Sequence, residues 1–419
     1  HSAIMPDGKI LYDRWEYVDR NFGDAQGLWT VNPDGTNHVV YWGNNTNSPG
    51  GVIDARYIPG TKRVIGILGS CHDRPWGALG IIDRRLGLDL KEPIIQTWPA
   101  DAIDLVGVGD FDTFKRVRPR YEDPYPLSNK YFLCSREVKE EQMGIFLIDV
   151  FGNETLLHTE GPGCYDPMPV GPRYRPPVIP DKNNFAKQTG KFYIQDVYIG
   201  THMEGVERGA VKTLRVIESP EKRFWTEPAW SGQGVHRPGL NWHSFENKNI
   251  LGQVPVEDDG SAYFEVPANR FLYFQLLDEN GKMIQSMRSG TIIQHGEMQG
   301  CIGCHDNRHS VPPQIQVIPK ATKREPSQMN GWYGEPRNFN FVEEVQPVFD
   351  KHCVSCHDFG KPAGEKVNLS GDRNLFFNAS YIELWQKKLI GSIGAGPSDI
   401  QPAYSWGSHA SKLVQTLQA

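Results

Sequence analysis

Alternating apolar and polar positions dominate the first 165 residues, and they recur in pairs separated by tight-turn signals. Pro6-Asp7-Gly8-Lys9 opens a run through Ile10, Leu11 and Tyr12, answered by Leu28 to Val31 and the turn Asn32-Pro33-Asp34-Gly35. The pattern returns from Ile58 to Gly66 with Leu79 to Asp83, and again from Pro126 to Leu133 with Gly144 to Asn153. Period-2 runs bounded by Asp-Gly and Gly-Asn turns predict β-hairpins, and a spacing of roughly 50 residues suits the blades of a β-propeller. Three such units do not close a ring, so residues 1–165 read as part of a β-propeller, with an ordinary β-sandwich as the alternative. A Pro-rich run from Pro167 through Pro180 then excludes both central strand and helix and predicts a connector. Strand signals resume at Lys191–Ile199, Ser261–Val266 and Phe271–Leu277, the last followed by the turn Asp278–Gly281; they predict an antiparallel β-rich middle domain over 166–330. After Pro312 to Pro336 the pattern becomes helical at Val342–Phe349. Residues 331–419 read as a small α-helical domain, and the fold class is mainly β.

Composition narrows the class. Gly (43) and Pro (31) are abundant and aromatics reach 11%, which suits a turn-rich β protein. A net charge of −6 supplies no basic footprint for nucleic acid, and no apolar run approaches the roughly 20 residues of a membrane span. The chain opens at His1 inside a strand pattern and stops in a helix-like stretch, Ser411–Leu417, so it reads as a portion of a longer protein.

Four of the seven cysteines fall in two CxxCH motifs, Cys301-Ile302-Gly303-Cys304-His305 and Cys353-Val354-Ser355-Cys356-His357. Two thiols that add across haem vinyl groups, followed by a His for the iron, are what covalent c-type attachment needs. A zinc ribbon places its two CxxC pairs roughly 15–20 residues apart, whereas 48 residues separate Cys304 from Cys353. A thioredoxin-like pair needs a βαβ setting, which is absent. The expected cofactors are therefore two covalent c-type haems, and the last domain is a cytochrome c domain. Covalent attachment of this kind implies an exported protein in a periplasm-like compartment.

No Met follows Met329, so a His/Met iron cannot be closed from downstream in this chain. His409, the one His after His357, is either the sixth ligand of the second haem or a residue in the first turn of a final helix capped by Ser408. If neither His409 nor Met serves, the ligand lies beyond Ala419. At the first motif His309 follows His305 by four residues, so both compete for one iron, or one binds another metal. Glu297 and His295 precede that motif and Asp306 follows it; for Glu297 or His295 alone a solvated loop is the simpler reading. Cys71-His72-Asp73 gathers ligand-type side chains in a blade loop and is a zinc candidate. Cys134, inside a strand, reads as an inert core thiol; Cys164 reads as exposed and without a role.

The order of parts resembles the alpha subunit of hydrazine synthase and its relatives. The resemblance is carried by Pro167–Pro180, Gly190–Tyr198, Met287 to His305 and Glu344–Phe349. It implies that the middle-domain haem condenses hydroxylamine with ammonia to hydrazine, while the second haem relays electrons to or from other haem-bearing subunits. It also implies an anammoxosome-like lumen. In that family a Tyr four residues after the motif His ligates the first iron, and the motif His turns to zinc. Here the Tyr position holds His309, so the resemblance makes His309 the iron ligand and His305 a zinc ligand, perhaps with Cys71 or His72. Asp306 and Glu297 are then the acids nearest the iron by sequence. A dihaem electron carrier, or a scaffold with secondary haems, are the competing readings.

Overall fold

The computed structural model describes residues 1–16, 26–221, 247–304, 318–373, 377–391 and 401–419. His305, Asp306 and His309 lie outside these residues. The described residues up to 158 form three antiparallel meanders of four strands, the second and third joined into one eight-stranded sheet where Gly77 pairs with Tyr121. The first comprises β1 (Ser2–Ile4), β2 (Ile10–Trp15), β3 (Gln26–Val31) and β4 (Val39–Trp42). The second comprises β5 (Gly51–Tyr57), β6 (Val64–Gly69), β7 (Gly77–Ile82) and β8 (Ile94–Trp98); the third, β9 (Tyr121–Pro126), β10 (Tyr131–Lys139), β11 (Gln142–Asp149) and β12 (Glu154–His158). Each predicted hairpin is found, as β2–β3, β6–β7 and β10–β11.

Period-2 alternation explains how the meanders stack. Along β6, Val64 and Leu68 face one core while Ile65 and Ile67 face another; along β7, Ala78 and Ile82 part from Leu79 and Ile81 in the same way. The first core is completed by Leu11, Leu28 and Trp42 of the first meander, and the second by Tyr121, Phe132 and Phe146 of the third. The second meander is thus buried on both faces, which is why β6 and β7 read as continuous apolar runs. Gly66 pairs with Gly80 on the crowded face, where a Cβ on Gly80 would lie 2.9 Å from Leu68. Cys134 on β10 is fully buried, its thiol bonded to Glu122 O at 3.0 Å and pushed well above its ordinary range by burial, in keeping with an inert core thiol.

The Pro-rich stretch carries no strand or helix and runs past the first meander, where Lys182 N donates to Asp34 Oδ2 at 2.7 Å. The middle region follows with β13 (Thr189–Ile194), β14 (Thr213–Glu218), β15 (Asn249–Pro255), β16 (Ala262–Pro267), β17 (Leu272–Leu277), β18 (Met283–Ser286) and β19 (Met298–Cys301). One sheet runs β16-β13-β19; the other runs β18-β17-β14-β15 and ends on β20 (Arg337–Asn338). The expectation of a purely antiparallel domain is corrected at one place: β13 and β19 pair in parallel, because the whole β14–β18 excursion returns the chain to the same edge. Strand β13 also stops at Ile194 rather than Ile199, since Asp196 turns its carboxylate back to Tyr198 N at 3.0 Å.

Short helices make up the remainder. Gln346–His352 begins with Pro347, whose missing N–H costs nothing in a first turn, and leads into Cys353. The last helix is Lys412–Gln418 with Ser411 at its N-cap. Ser408 is therefore not its cap, and His409 is not in its first turn: Ser408 Oγ instead accepts Met283 N at 2.7 Å and pins this segment to β18. Among the described residues no helix is long and apolar enough to cross a membrane.

Candidate functional site

The first cysteine pair is positioned by a ladder that continues past its strand. Gln195 N donates to Cys301 O at 2.8 Å and Asp196 N to Ile302 O at 3.1 Å, extending the β13–β19 pairing into the motif. Gly303 is the residue that permits this approach: a Cβ there would lie 2.1 Å from Ile199 O. Cys301 and Cys304 consequently open onto a cavity of about 930 Å³ between the first meander and the middle region, within the usual size range of ligand sites. Its floor is apolar, formed by Phe192, Ile194, Leu214, Phe274 and Leu276, all buried. Burial, with Cys301 and Asp196 nearby, pushes the Cys304 thiol up to about 12, so it is a neutral thiol.

The opposite wall brings a residue that the sequence reading missed. His38 lines the cavity, with Nδ1 2.7 Å from Tyr12 OH. Burial, helped by the Arg14 charge, lowers its pKa to about 4, so the imidazole is neutral at physiological pH. In sequence it is a single His between a turn and a strand, with nothing to mark the cavity beyond. Arg14 also pairs with the buried Glu16 at 2.6 Å, and both reach the 289–290 loop: Arg14 Nη2 donates to Gly290 O at 3.0 Å and Ser289 Oγ to Glu16. This buried pair docks the first meander on the cavity rim.

Glu297 lines the cavity but is only 8% exposed, which corrects the solvated-loop reading. Its two oxygens accept Asn37 N at 2.8 Å and Gln294 N at 2.7 Å, one from each side of the cavity. The carboxylate is a staple between the two walls. His295 lies outside the lining, its Nδ1 2.7 Å from Lys187 O.

Cys71 and His72 sit at the β6–β7 loop. The Cys71 sulfur accepts Gln26 Nε2 at 3.1 Å, and His72 holds Asp112 through both its backbone N and Nδ1. Among the described residues they gather no third ligand atom for a metal.

In the helical region Cys353 packs against Phe349, Leu369 and Leu384, and Cys356 is exposed. His357 Nδ1 lies 3.0 Å from Val367 O. A carbonyl can only accept, so Nδ1 is the donor here and Nε2 is the ring nitrogen left to face a metal. That second contact fixes ring and tautomer as an axial ligand requires. His409 Nε2 lies 3.1 Å from Asp278 Oδ2, with its ring edge-on to Tyr404; ligation would require it to leave that carboxylate. None of the seven cysteines, all of them described, is in a disulfide.

Stacked β-meanders, a β middle region holding a thiol-lined cavity, and a helical region with a second Cys pair define a mainly β protein with two thiol-bearing sites. A family model described as the hydrazine synthase alpha subunit middle domain matches residues 209–306, which span most of the cavity floor and the first motif. Hydrazine synthase subunit alpha of Kuenenia stuttgartiensis is 24% identical over 41% of this chain and 28% of its own length. The solved structure of Kuenenia stuttgartiensis hydrazine synthase superposes with a TM-score of 0.70 at 17% identity, covering 92% of this chain and 59% of that chain. Residues 209–306 are thus similar to the hydrazine synthase alpha middle domain and the chain shares the fold of hydrazine synthase, while it spans less than two thirds of the length of either relative.

Proposed function

We propose that the chain is the haem-bearing part of an exported oxidoreductase of the hydrazine synthase alpha type, with one catalytic and one relay haem. The observation that carries this is the cavity: the two cysteines of a CxxC pair on the wall of an apolar chamber whose roof belongs to a different sheet system. A flat apolar macrocycle attached through Cys301 and Cys304 fits such a chamber, and Arg288 and Lys182 on its lining are suitable partners for propionates. Three stacked four-stranded meanders support the reading of residues 1–165 as propeller blades. Cys353, Cys356 and His357 would hold the second haem, whose role is electron relay, with His409 as a sixth ligand only if it is released from Asp278.

Bound haem would supply a redox-active Lewis acid for small nitrogen substrates, hydroxylamine and ammonia, with further haem-bearing subunits as electron partners. The protein's part is access, dryness and protons. The apolar floor excludes bulk water, and His38, whose protonated form the site disfavours, offers a neutral hydrogen-bonding ring at the cavity wall. Glu297 spends both oxygens on backbone amides and so serves the shape of the site, which leaves Asp306 as the acid proposed for proton delivery. His305 and His309 remain the two candidates for the first iron, and zinc at His305 with Cys71 or His72 stays part of the proposal.

Ultraviolet–visible and EPR spectra of the ferric protein, with and without hydroxylamine, test this. A high-spin signal that hydroxylamine perturbs, beside a low-spin signal that it leaves alone, is expected. Two low-spin haems indifferent to hydroxylamine would leave an electron carrier and end the catalytic reading.

A further inference from the structure

Three metal-ligating side chains converge at the end of the third meander, on residues that neither cysteine pair uses. Strand β12 ends at His158, which pairs with Ile145 of β11; the chain turns through Thr159–Gly163, and Cys164 N donates to Met143 O at 2.9 Å. Both ends of the loop are therefore anchored by backbone to positions two residues apart on one strand. The loop is closed without help from its side chains. Inside it, one ligand atom each from His158, Glu160 and Cys164 lies within 4.8 Å of the other two.

The spacing is close to what a metal needs. Zinc bonds of about 2.0–2.3 Å in tetrahedral geometry place ligand atoms about 3.3–3.8 Å apart, and His158 Nε2 is already 3.6 Å from Glu160 Oε2. The Cys164 sulfur lies within 4.8 Å of a ligand atom on each of the other two, at most about an ångström outside that spacing. As a plain surface ion pair, His158–Glu160 would contribute little, since both side chains are well exposed, at 62% and 70%. That reading leaves unexplained why a free thiol shares the same small volume.

We propose that His158 Nε2, a Glu160 carboxylate oxygen and the Cys164 thiolate bind one divalent transition-metal ion. The mixed nitrogen, oxygen and sulfur set suits borderline-soft Zn²⁺. Three protein ligands leave a fourth position to water or to a donor from outside the chain. The bound ion ties the last strand of the third meander to the start of the connector that leads to the middle region.

The test uses the purified full chain with its haems, dialysed against micromolar Zn²⁺ and analysed by elemental mass spectrometry and zinc-edge X-ray absorption. The expected result is one Zn²⁺ equivalent, bound through a sulfur at about 2.3 Å, that is lost in both His158→Ala and Cys164→Ser and weakened at least tenfold in Glu160→Gln. Cys71→Ser with His72→Ala should leave this equivalent in place, which separates it from any zinc held near the first haem. All three ligands are at the surface or half-buried, so haem content and far-ultraviolet circular dichroism should not change in the variants. Equal zinc in wild type, His158→Ala and Cys164→Ser, or no zinc in the wild type, would overturn the site.

Discussion

His38 reaches the cavity as a neutral imidazole because burial and the Arg14 charge both disfavour its protonated form. In the unfolded chain the same ring titrates near 6.5. The folded pKa, about 4, is depressed, so the unfolded state binds the proton more readily between these values. The contribution to stability is full above about pH 6.5 and is lost as pH falls toward 4. Melting temperatures of the wild type should therefore drop from pH 7 to pH 5 more steeply than those of His38→Gln, which keeps a hydrogen-bonding group toward Tyr12 but has no titrating ring. Parallel curves would place the titration elsewhere. Glu297 teaches the complementary lesson. A carboxylate beside a chemical motif invites a catalytic reading, yet here both oxygens hold backbone amides on opposite walls.

At the scale of elements, the CxxC segment depends on the approach of its own third residue to the chain between β13 and the following turn. Gly303→Ala would place a methyl against Ile199 O, forcing the segment off the β13 ladder. Pyridine haemochrome should then fall from two haems per chain toward one, while the second motif remains loaded. Most strands were legible in the sequence because their side chains alternate and their turns carry Asp, Asn and Gly. Strand β19 was not: Met298-Gln299-Gly300-Cys301 has no apolar alternation, and its register comes from a parallel partner a hundred residues upstream. The start of the last helix was misplaced for a similar reason. Ser408 has the right chemistry for a cap, but it is already committed to a backbone amide of β18. Of the site, the cysteines and His357 were legible as a local motif, whereas His38, Arg14 and Glu16 become functional only through the docking of two sheet systems.

The molecule as a whole distributes its apolar interior unevenly. The meanders and the middle region have extensive cores, but among the described residues the helical region buries only Phe349, Leu369 and Leu384 as its central cluster. So small a core rarely sustains a fold of this size without a covalent or metal staple. The double variant Cys353→Ala/Cys356→Ala should lose most helical circular dichroism and become protease-sensitive after about residue 331, with the β regions intact. A helical region that stays folded without haem would show that its protein contacts suffice.

The second meander has two neighbours and no face of its own. Because Val64 and Leu68 belong to one core and Ile65 and Ile67 to the other, loosening either outer sheet uncovers side chains on strands that still hold the opposite sheet. Unfolding of the three meanders is consequently coupled, and partial opening creates adhesive β surface rather than a stable fragment. A shortened protein cut between the first and second meanders would present Val52, Leu68 and Ala78 to solvent and should associate with itself through that face. The sensible place to divide this chain is the connector, where the sheets have already finished burying one another.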